Sequence, residues 1–314
     1  MTTAEIAELE QSFRAGETRA LARAISLVER RDPAAGQILA ELDGGAERLT
    51  VGFTGAPGAG KSTLVDAMVR RAREGERSVG VLAVDPSSPF SGGALLGDRV
   101  RMHRHALDPG VFVRSMGARG HGGGLSSATA EAVRLLAAFG LDEVLVETVG
   151  AGQSEFEVTG VVDTTVLVLT PGSGDAIQLQ KAGIMEVADV YVVNKSDLEG
   201  AATMRRDLAR VVGRANGEGW TPPVLGTVAS EPHDSQLELW EAIEAHREHL
   251  RGSEQGARRT AERLETATAA LVAEAARAWA REELAQDAGL RDQLGASRLP
   301  SAIAEQLLAR KNWA

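Results

Sequence analysis

Seven short runs rich in β-formers, separated by helical stretches, restrict this chain more than any other feature. They are LTVGFT (49–54), SVGVLAV (78–84), VFVRS (111–115), EVLVE (143–147), TVLVLT (165–170), VYVV (190–193) and VLGTV (224–228). Several are apolar at consecutive positions instead of alternating, which is the pattern of parallel strands buried on both faces. Helical patterns fall between most of them, at 62–74, 98–107, 125–139, 176–187, 199–214 and 235–250. Such alternation over roughly 200 residues predicts an α/β fold with a doubly wound, mostly parallel sheet, and ligands beyond the strand C-termini.

The flanks read differently. Residues 4–45 place Ala, Leu, Glu and Arg at helical spacing, and Asp32 stands as an N-cap before Pro33 at a first helical position. Two or three short helices are expected there. After Gly252 the β runs stop, and ARRTAERLETATAALVAEAARAWAREEL reads as one long helix. Leu264, Thr268, Leu271, Ala275 and Trp279 share roughly one of its faces, which either packs on its own domain or pairs with a second subunit. RLPSAIAEQLLARKNWA closes the chain as a further helix. The organisation expected is a helical N-terminal extension (1–46), a central α/β domain (47–250) and a helical C-terminal arm (251–314).

Composition narrows the function classes. The chain has 314 residues, 43% of them hydrophobic, enough for a sizeable core. Its net charge of −10, with no block of Lys and Arg, argues against nucleic-acid binding. The absence of cysteine excludes disulfides and thiolate metal sites. The start, MTTAEIAELEQSFRAGE, carries no signal-peptide core, and no run of ~18 apolar residues occurs. A cytoplasmic protein without a membrane span is expected.

GAPGAGKS, Gly55 to Ser62, matches G-x-x-x-x-G-K-[ST] between a predicted strand and a predicted helix. Gly55, Gly58 and Gly60 let the amides of this loop, with Ala56 and Ala59, converge on phosphate oxygens. The helix that starts near Ser62 and Thr63 adds its partial positive charge. Lys61 is expected to reach the β- and γ-phosphates, and Ser62 to bind Mg²⁺. NKSD, Asn194 to Asp197, follows the run VYVV. Asp197 can accept from guanine N1–H and the exocyclic amine, a pair adenine lacks, while the stem of Lys195 lies along the base. The expected ligand is GTP. In VLGTVASE, backbone groups of Val228 and Ala229 should lie near the guanine, although the fuller S-A-x-x-G-x-G form is missing.

Carboxylates fall where a metal would need them. VLVETVGAGQSE ends a run with Glu147, where most GTPases carry Asp, and places Gly150 to contact the γ-phosphate. Gln153 lies six residues after Glu147, so it cannot simply inherit the water-positioning role of a Gln four residues on, and its part in hydrolysis stays open. In VLAVDPSSPFSGGALLGDRVRM, Asp85 ends a strand and a Pro-Ser-Ser-Pro bend can return Asp98 to the same side. Both could hold Mg²⁺ or its waters, or Asp98 could cap the following helix. RSMGARGHGGGLSSAT offers Arg119 as an internal arginine finger and His121 beside three glycines. His103, His105 and His121 form only a loose set without tight metal-ligand spacing.

Together, GAPGAGKSTL, DPSSPFSGGALLGDRVRM, VETVGAGQSE and DAIQLQKAGIMEVADVYVVNKSD resemble the MeaB/ArgK/MMAA family of GTPases, chaperones of cobalamin-dependent acyl-CoA mutases. The likeness runs over essentially the whole chain. It implies a GTP-hydrolysing chaperone that binds GTP and GDP with Mg²⁺, docks on a mutase, gates its cofactor loading and protects it. It implies a homodimer held by C-terminal helices. It makes Asp85, Asp98 and Glu147 the carboxylates around Mg²⁺ and the switch regions, and Lys181 the signal-carrying residue of a partner-sensing segment. This chain departs from the family in placing Ala182 after Lys181, where many members have two lysines, and in the HGGG run. A metallochaperone GTPase for metal insertion is the alternative, which the lack of cysteine disfavours.

Overall fold

The computed structural model describes residues 1–42, 50–86, 105, 107–118, 127–148, 158–172, 188–215, 219–230, 234–296 and 300–310. It divides into two compact units, Met1–Arg263 and Leu264–Ala314. The first begins with three helices, α1 (Thr3–Arg14), α2 (Thr18–Arg30) and α3 (Pro33–Leu42). Asp32 caps α3 as expected, its carboxylate accepting the Ala34 amide at 2.9 Å. The α/β part then runs β1 (Thr50–Thr54), α4 (Lys61–Glu74), β2 (Val79–Pro86), β3 (Val111–Ala118), α5 (Ser127–Ala138) and β4 (Glu143–Thr148). It continues with β5 (Thr164–Leu169), β6 (Val190–Asn194), α6 (Ala201–Ala215), β7 (Val224–Thr227) and α7 (Asp234–Leu250). The helical patterns expected at 98–107 and 176–187 fall largely or wholly outside the described residues.

The strands form one seven-stranded sheet in the order β3-β2-β4-β1-β5-β6-β7, and every pairing is parallel. The order reverses direction on either side of β1, which is the doubly wound plan. The consecutive apolar runs have a direct cause. Val144 and Val146 of β4 face a core built with α1, α2, α3 and α5, while Leu145 faces one built with α4 and α7. In β5, Val166 and Val168 join the α4/α7 core, and Leu167 and Leu169 pack with Leu208 and Val212 of α6. Both faces of each strand are covered, so neither needs polar side chains. The N-terminal helices belong to this arrangement, with Leu21, Ile25 and Val28 of α2 buried against the sheet.

Polar chemistry is driven to the strand ends, and at the amino ends it follows a repeated device. Asp142, Asp163 and Asp189 each stand one residue before β4, β5 and β6. Asp142 accepts the Ser78 amide at 2.9 Å, Asp163 the Thr50 amide at 2.8 Å and Asp189 the Thr165 amide at 2.9 Å. Each carboxylate thereby satisfies an amide at or beside the start of the neighbouring strand, a donor that burial would otherwise leave costly. Arginines meet the resulting row of negative charge. Arg259 reaches Asp189 at 2.7 Å and Arg263 reaches Asp163 at 2.6 Å, both from the first turns of α8 (Glu254–Gln286). Glu143, 1% exposed, is held by Arg247 at 2.5 Å and Arg77 at 3.0 Å.

In the second unit, the rest of α8 is followed by α9 (Ala288–Ala296) and α10 (Pro300–Arg310). Trp279, Ala280 and Leu284 pack on a small core of Leu290, Ile303 and Leu307. Asp287 separates α8 from α9 and caps the latter by accepting the Leu290 amide at 3.0 Å. Leu264, Leu271 and Val272 of α8 stay exposed at 47%, 37% and 52%. No helix among the described residues is long and apolar enough to cross a membrane.

Two predictions concern the amino end of the sheet. Glu143→Ala leaves Arg247 buried without its closest counter-charge and should lower stability by about 3–5 kcal/mol in a denaturant titration. His246 is fully buried, with Nδ1 at 2.9 Å from Thr164 Oγ1 and Nε2 at 3.4 Å from Asp189. Burial first, then the charges of Arg259 and His249, hold its value down to about 3 from 6.5. Between those values the unfolded chain binds a proton that the folded ring refuses, so stability falls as pH drops below 6.5, by about 2 kcal/mol at pH 5. Asp189 runs the other way, because burial raises its carboxyl despite Arg259 and acid relieves that cost. His246→Asn should therefore flatten the stability slope between pH 7 and 5 in chemical melts, and an unchanged slope would contradict the assignment.

Candidate functional site

At the carboxyl end of β1 the chain turns through Gly55 to Gly60 and enters α4 at Lys61. Gly55 has φ +136°, and a Cβ there would lie 2.1 Å from the Val168 carbonyl oxygen of β5. Gly60 has φ +94°, and a Cβ there would lie 2.2 Å from Asn194 Nδ2. Neither position can take another residue without moving a neighbour. The Ala59 amide donates to the Ala56 carbonyl at 3.2 Å, closing the turn. Lys61 folds back over it, donating from Nζ to the carbonyls of Gly55 at 2.5 Å and Ala56 at 3.0 Å. The first amides of α4, from Lys61, Ser62 and Thr63, face out of the helix end with its positive partial charge, a cradle for an anion.

Beside this loop the sheet supplies a carboxylate. Phe53 of β1 is in register with Glu147 of β4, which brings Glu147 next to the P-loop. Ser62 Oγ donates to Glu147 Oε1 at 2.5 Å, and the two residues are 7% and 1% exposed. A hydroxyl and a carboxylate converging at a phosphate cradle are hard oxygen donors, and Mg²⁺ fits such a pair because it retains several waters. Asp85 lies in β2 two residues beyond Ala83, the register partner of Glu147, and so toward the same end of the sheet. Asp98, Gly150 and Lys181 lie outside the described residues, as do Gln153, Arg119, His103 and His121. His105 has a partner of its own, with Nε2 at 3.0 Å from Asp66 Oδ1 of α4. Among the described residues no group of three or more His, Cys, Asp or Glu is placed to hold a metal.

The base motif is tied to the phosphate loop directly. Asn194, 2% exposed at the end of β6, donates from Nδ2 to the Ala59 carbonyl at 2.8 Å. Lys195 takes a left-handed φ of +56° and donates from Nζ to the Gly58 carbonyl at 3.1 Å. Asp197 follows on an exposed turn, open to a base edge. Thr227, at the end of β7, donates to Asn194 Oδ1 at 3.1 Å, and its carbonyl accepts the Ser196 amide at 3.0 Å. Just beyond, both polar groups of Val228 are held by α7. Its amide donates to Ser235 Oγ at 3.2 Å, and its carbonyl accepts from Gln236 Nε2 at 3.0 Å. Ala229 follows, 6% exposed. Thr227, Ser235 and Gln236 carry no motif, and only their position beside N-K-S-D and V-A-S hints at a part in this site.

With this geometry in place, likeness to known proteins is informative. Residues 21–284 match the family described as methylmalonyl-CoA mutase-associated GTPase MeaB. A putative GTPase of Pyrococcus abyssi is 46% identical over 279 residues, covering 85% of this chain and 85% of that protein. GTPase ArgK of Escherichia coli is 40% identical over 252 residues, 76% of this chain and 75% of that one. A crystal structure titled LAO/AO transport system kinase superposes with a TM-score of 0.70 at 28% identity, over 98% of both chains. A P-loop locked to a guanine motif on this sheet, in a chain so closely related to named GTPases, places it in that family: the chain is a GTPase of the MeaB family.

Proposed function

We propose that the chain binds GTP and GDP with Mg²⁺ and works as a GTP-hydrolysing chaperone of a cobalamin-dependent acyl-CoA mutase, gating its cofactor loading and protecting it. The observation that carries the nucleotide half is the lock between the two motifs, Asn194 Nδ2 on Ala59 and Lys195 Nζ on Gly58. It fixes the distance between phosphate cradle and base edge, so one guanosine nucleotide spans both. The mutase half rests on the family description over residues 21–284.

Each side chain then has a task. Lys61 swings from the Gly55 and Ala56 carbonyls to the β- and γ-phosphates, and the α4 amides with those of Gly58 and Gly60 grip the remaining oxygens. Ser62, Glu147, Asp85 and Asp98 would hold Mg²⁺. The ion supplies neutralisation of the charge that builds on the transferred phosphoryl group. The Gly150 amide meets the γ-phosphate, and Lys181 reports to the partner. Asp197 reads the guanine edge, and the Val228–Ala229 backbone closes over it. The catalytic contribution is positioning and charge stabilisation of attack by water. Residues 251–314 form the arm through which two copies pair, consistent with Leu264, Leu271 and Val272 lying exposed along α8.

Two measurements test this reading. Phosphate release from GTP, followed with and without a cobalamin-dependent acyl-CoA mutase at saturation, should be slow alone and accelerated by the cognate mutase. No acceleration by any of them would remove the chaperone assignment. Asp197→Asn replaces an acceptor pair by one acceptor and one donor, which suits xanthine and not guanine. It should weaken GTP binding at least about a hundredfold and improve XTP binding, read by competition against labelled GDP.

A further inference from the structure

Both polar groups of Val228, the first residue after β7, are satisfied by side chains of α7. Val228 donates its amide to Ser235 Oγ at 3.2 Å and receives Gln236 Nε2 on its carbonyl at 3.0 Å. Ser235 and Gln236 are 6% and 7% exposed, so the side-chain ends of these part-buried hydrogen bonds are shielded from solvent. The residue before, Thr227, is anchored in both directions, by its hydroxyl to Asn194 Oδ1 and by its carbonyl to the Ser196 amide. Two successive residues are thus pinned, one to the N-K-S-D turn and one to α7. The backbone of Ala229, next in line, has its direction set by that pair of anchors. Helix α7 is itself held firmly, with Leu239 and Ile243 in the sheet core and His246 and Arg247 bonded at the amino end of the sheet.

We infer that Ser235 and Gln236 are positioning residues for base selection, holding Val228 so that the Ala229 amide is aimed at the O6 edge of a 6-oxopurine. The inference rests on the guanosine-nucleotide reading and adds to it the two side chains that hold the base loop. Asp197 senses N1–H and the exocyclic amine at position 2, while the loop held by α7 senses oxygen at position 6. Guanine and hypoxanthine share that oxygen, and adenine carries an amine there instead, a donor that an amide N–H cannot meet. Release of Val228 lets the amide wander, and the penalty falls equally on every 6-oxopurine.

The test is calorimetric titration of the full chain with GDP, IDP and ADP, on Ser235→Ala, Gln236→Met and the conservative Ser235→Thr. Gln236→Met keeps the volume without the donor, and Ser235→Ala is the smaller change should the Met variant fail to fold. Loss of one buried hydrogen bond predicts a rise in Kd of about five- to twentyfold. That rise should be the same factor for GDP and IDP, leave ADP weak, and fall on KM for GTP and not on kcat. Ser235→Thr, which keeps the hydroxyl, should hold Kd within about twofold of the parent. A fall in melting temperature with Kd unchanged would make the two residues merely structural and overturn the inference. A changed ratio of GDP to IDP affinity would also overturn it, by routing the effect through Asp197. Parent protein that binds ADP as tightly as GDP would instead sink the guanosine reading itself.

Discussion

A parallel sheet covered on both faces leaves only the two strand ends for polar groups, and much of the rest of this molecule follows from that constraint. At the carboxyl ends, unpaired backbone and strand-end side chains converge on one region, and the nucleotide motifs occupy it. At the amino ends the same geometry creates a liability, since buried amides at the strand starts need acceptors. Aspartates placed one residue before β4, β5 and β6 meet that need for the adjacent strand. Burying carboxylates in turn demands cations, and arginines from β2's approach, α7 and α8 provide them. These pairs are not a net gain over apolar packing, since desolvation consumes most of the attraction. Their consequence is that removing a partner leaves a buried charge with less compensation than it was desolvated against.

Helix α7 is the element that touches both ends. It starts beside the base loop, where Ser235 and Gln236 hold Val228. It crosses the sheet through Leu239 and Ile243 and finishes at the amino ends, where His246 bonds Thr164 and Arg247 bonds Glu143. A helix fixed at both termini and along its middle has little freedom to shift. That rigidity suits a loop whose selectivity depends on where a single backbone amide points.

The sheet was legible because its cause is local. Each strand's apolar run is written in consecutive residues, and all seven runs marked in the sequence became strands, within about two residues at most boundaries. The P-loop and N-K-S-D were legible for a similar reason, since each is contiguous and each follows a strand. What connects them was not legible. Asn194 to Ala59 spans 135 positions and Thr50 to Asp163 spans 113, and no local spacing announces either contact. Asp142, Asp163 and Asp189 read as ordinary turn residues until the strand order puts each beside an amide at its neighbour's start. The stripe on α8 is divided between two surroundings. Periodicity placed Leu264, Leu271 and Trp279 on one face, but Trp279 packs with α9 and α10 while Leu264 and Leu271 remain exposed. The short α9 was missed although Asp287, its cap, carried the signal in plain sequence.

The start of α8 is the place where these levels meet. Arg259 and Arg263 stand four positions apart, so they share one face of the helix, and they reach Asp189 and Asp163 at the feet of β6 and β5. Each of those aspartates already holds a neighbouring strand, β5 through Thr165 and β1 through Thr50. The opposite ends of β1 and β6 lead directly into Gly55 and Lys195, the two sides of the nucleotide site. The first part of the segment expected as a C-terminal arm is therefore tied into the sheet's own polar framework up to Arg263. Its sequence is constrained by the feet of the strands that carry the phosphate loop and the base motif.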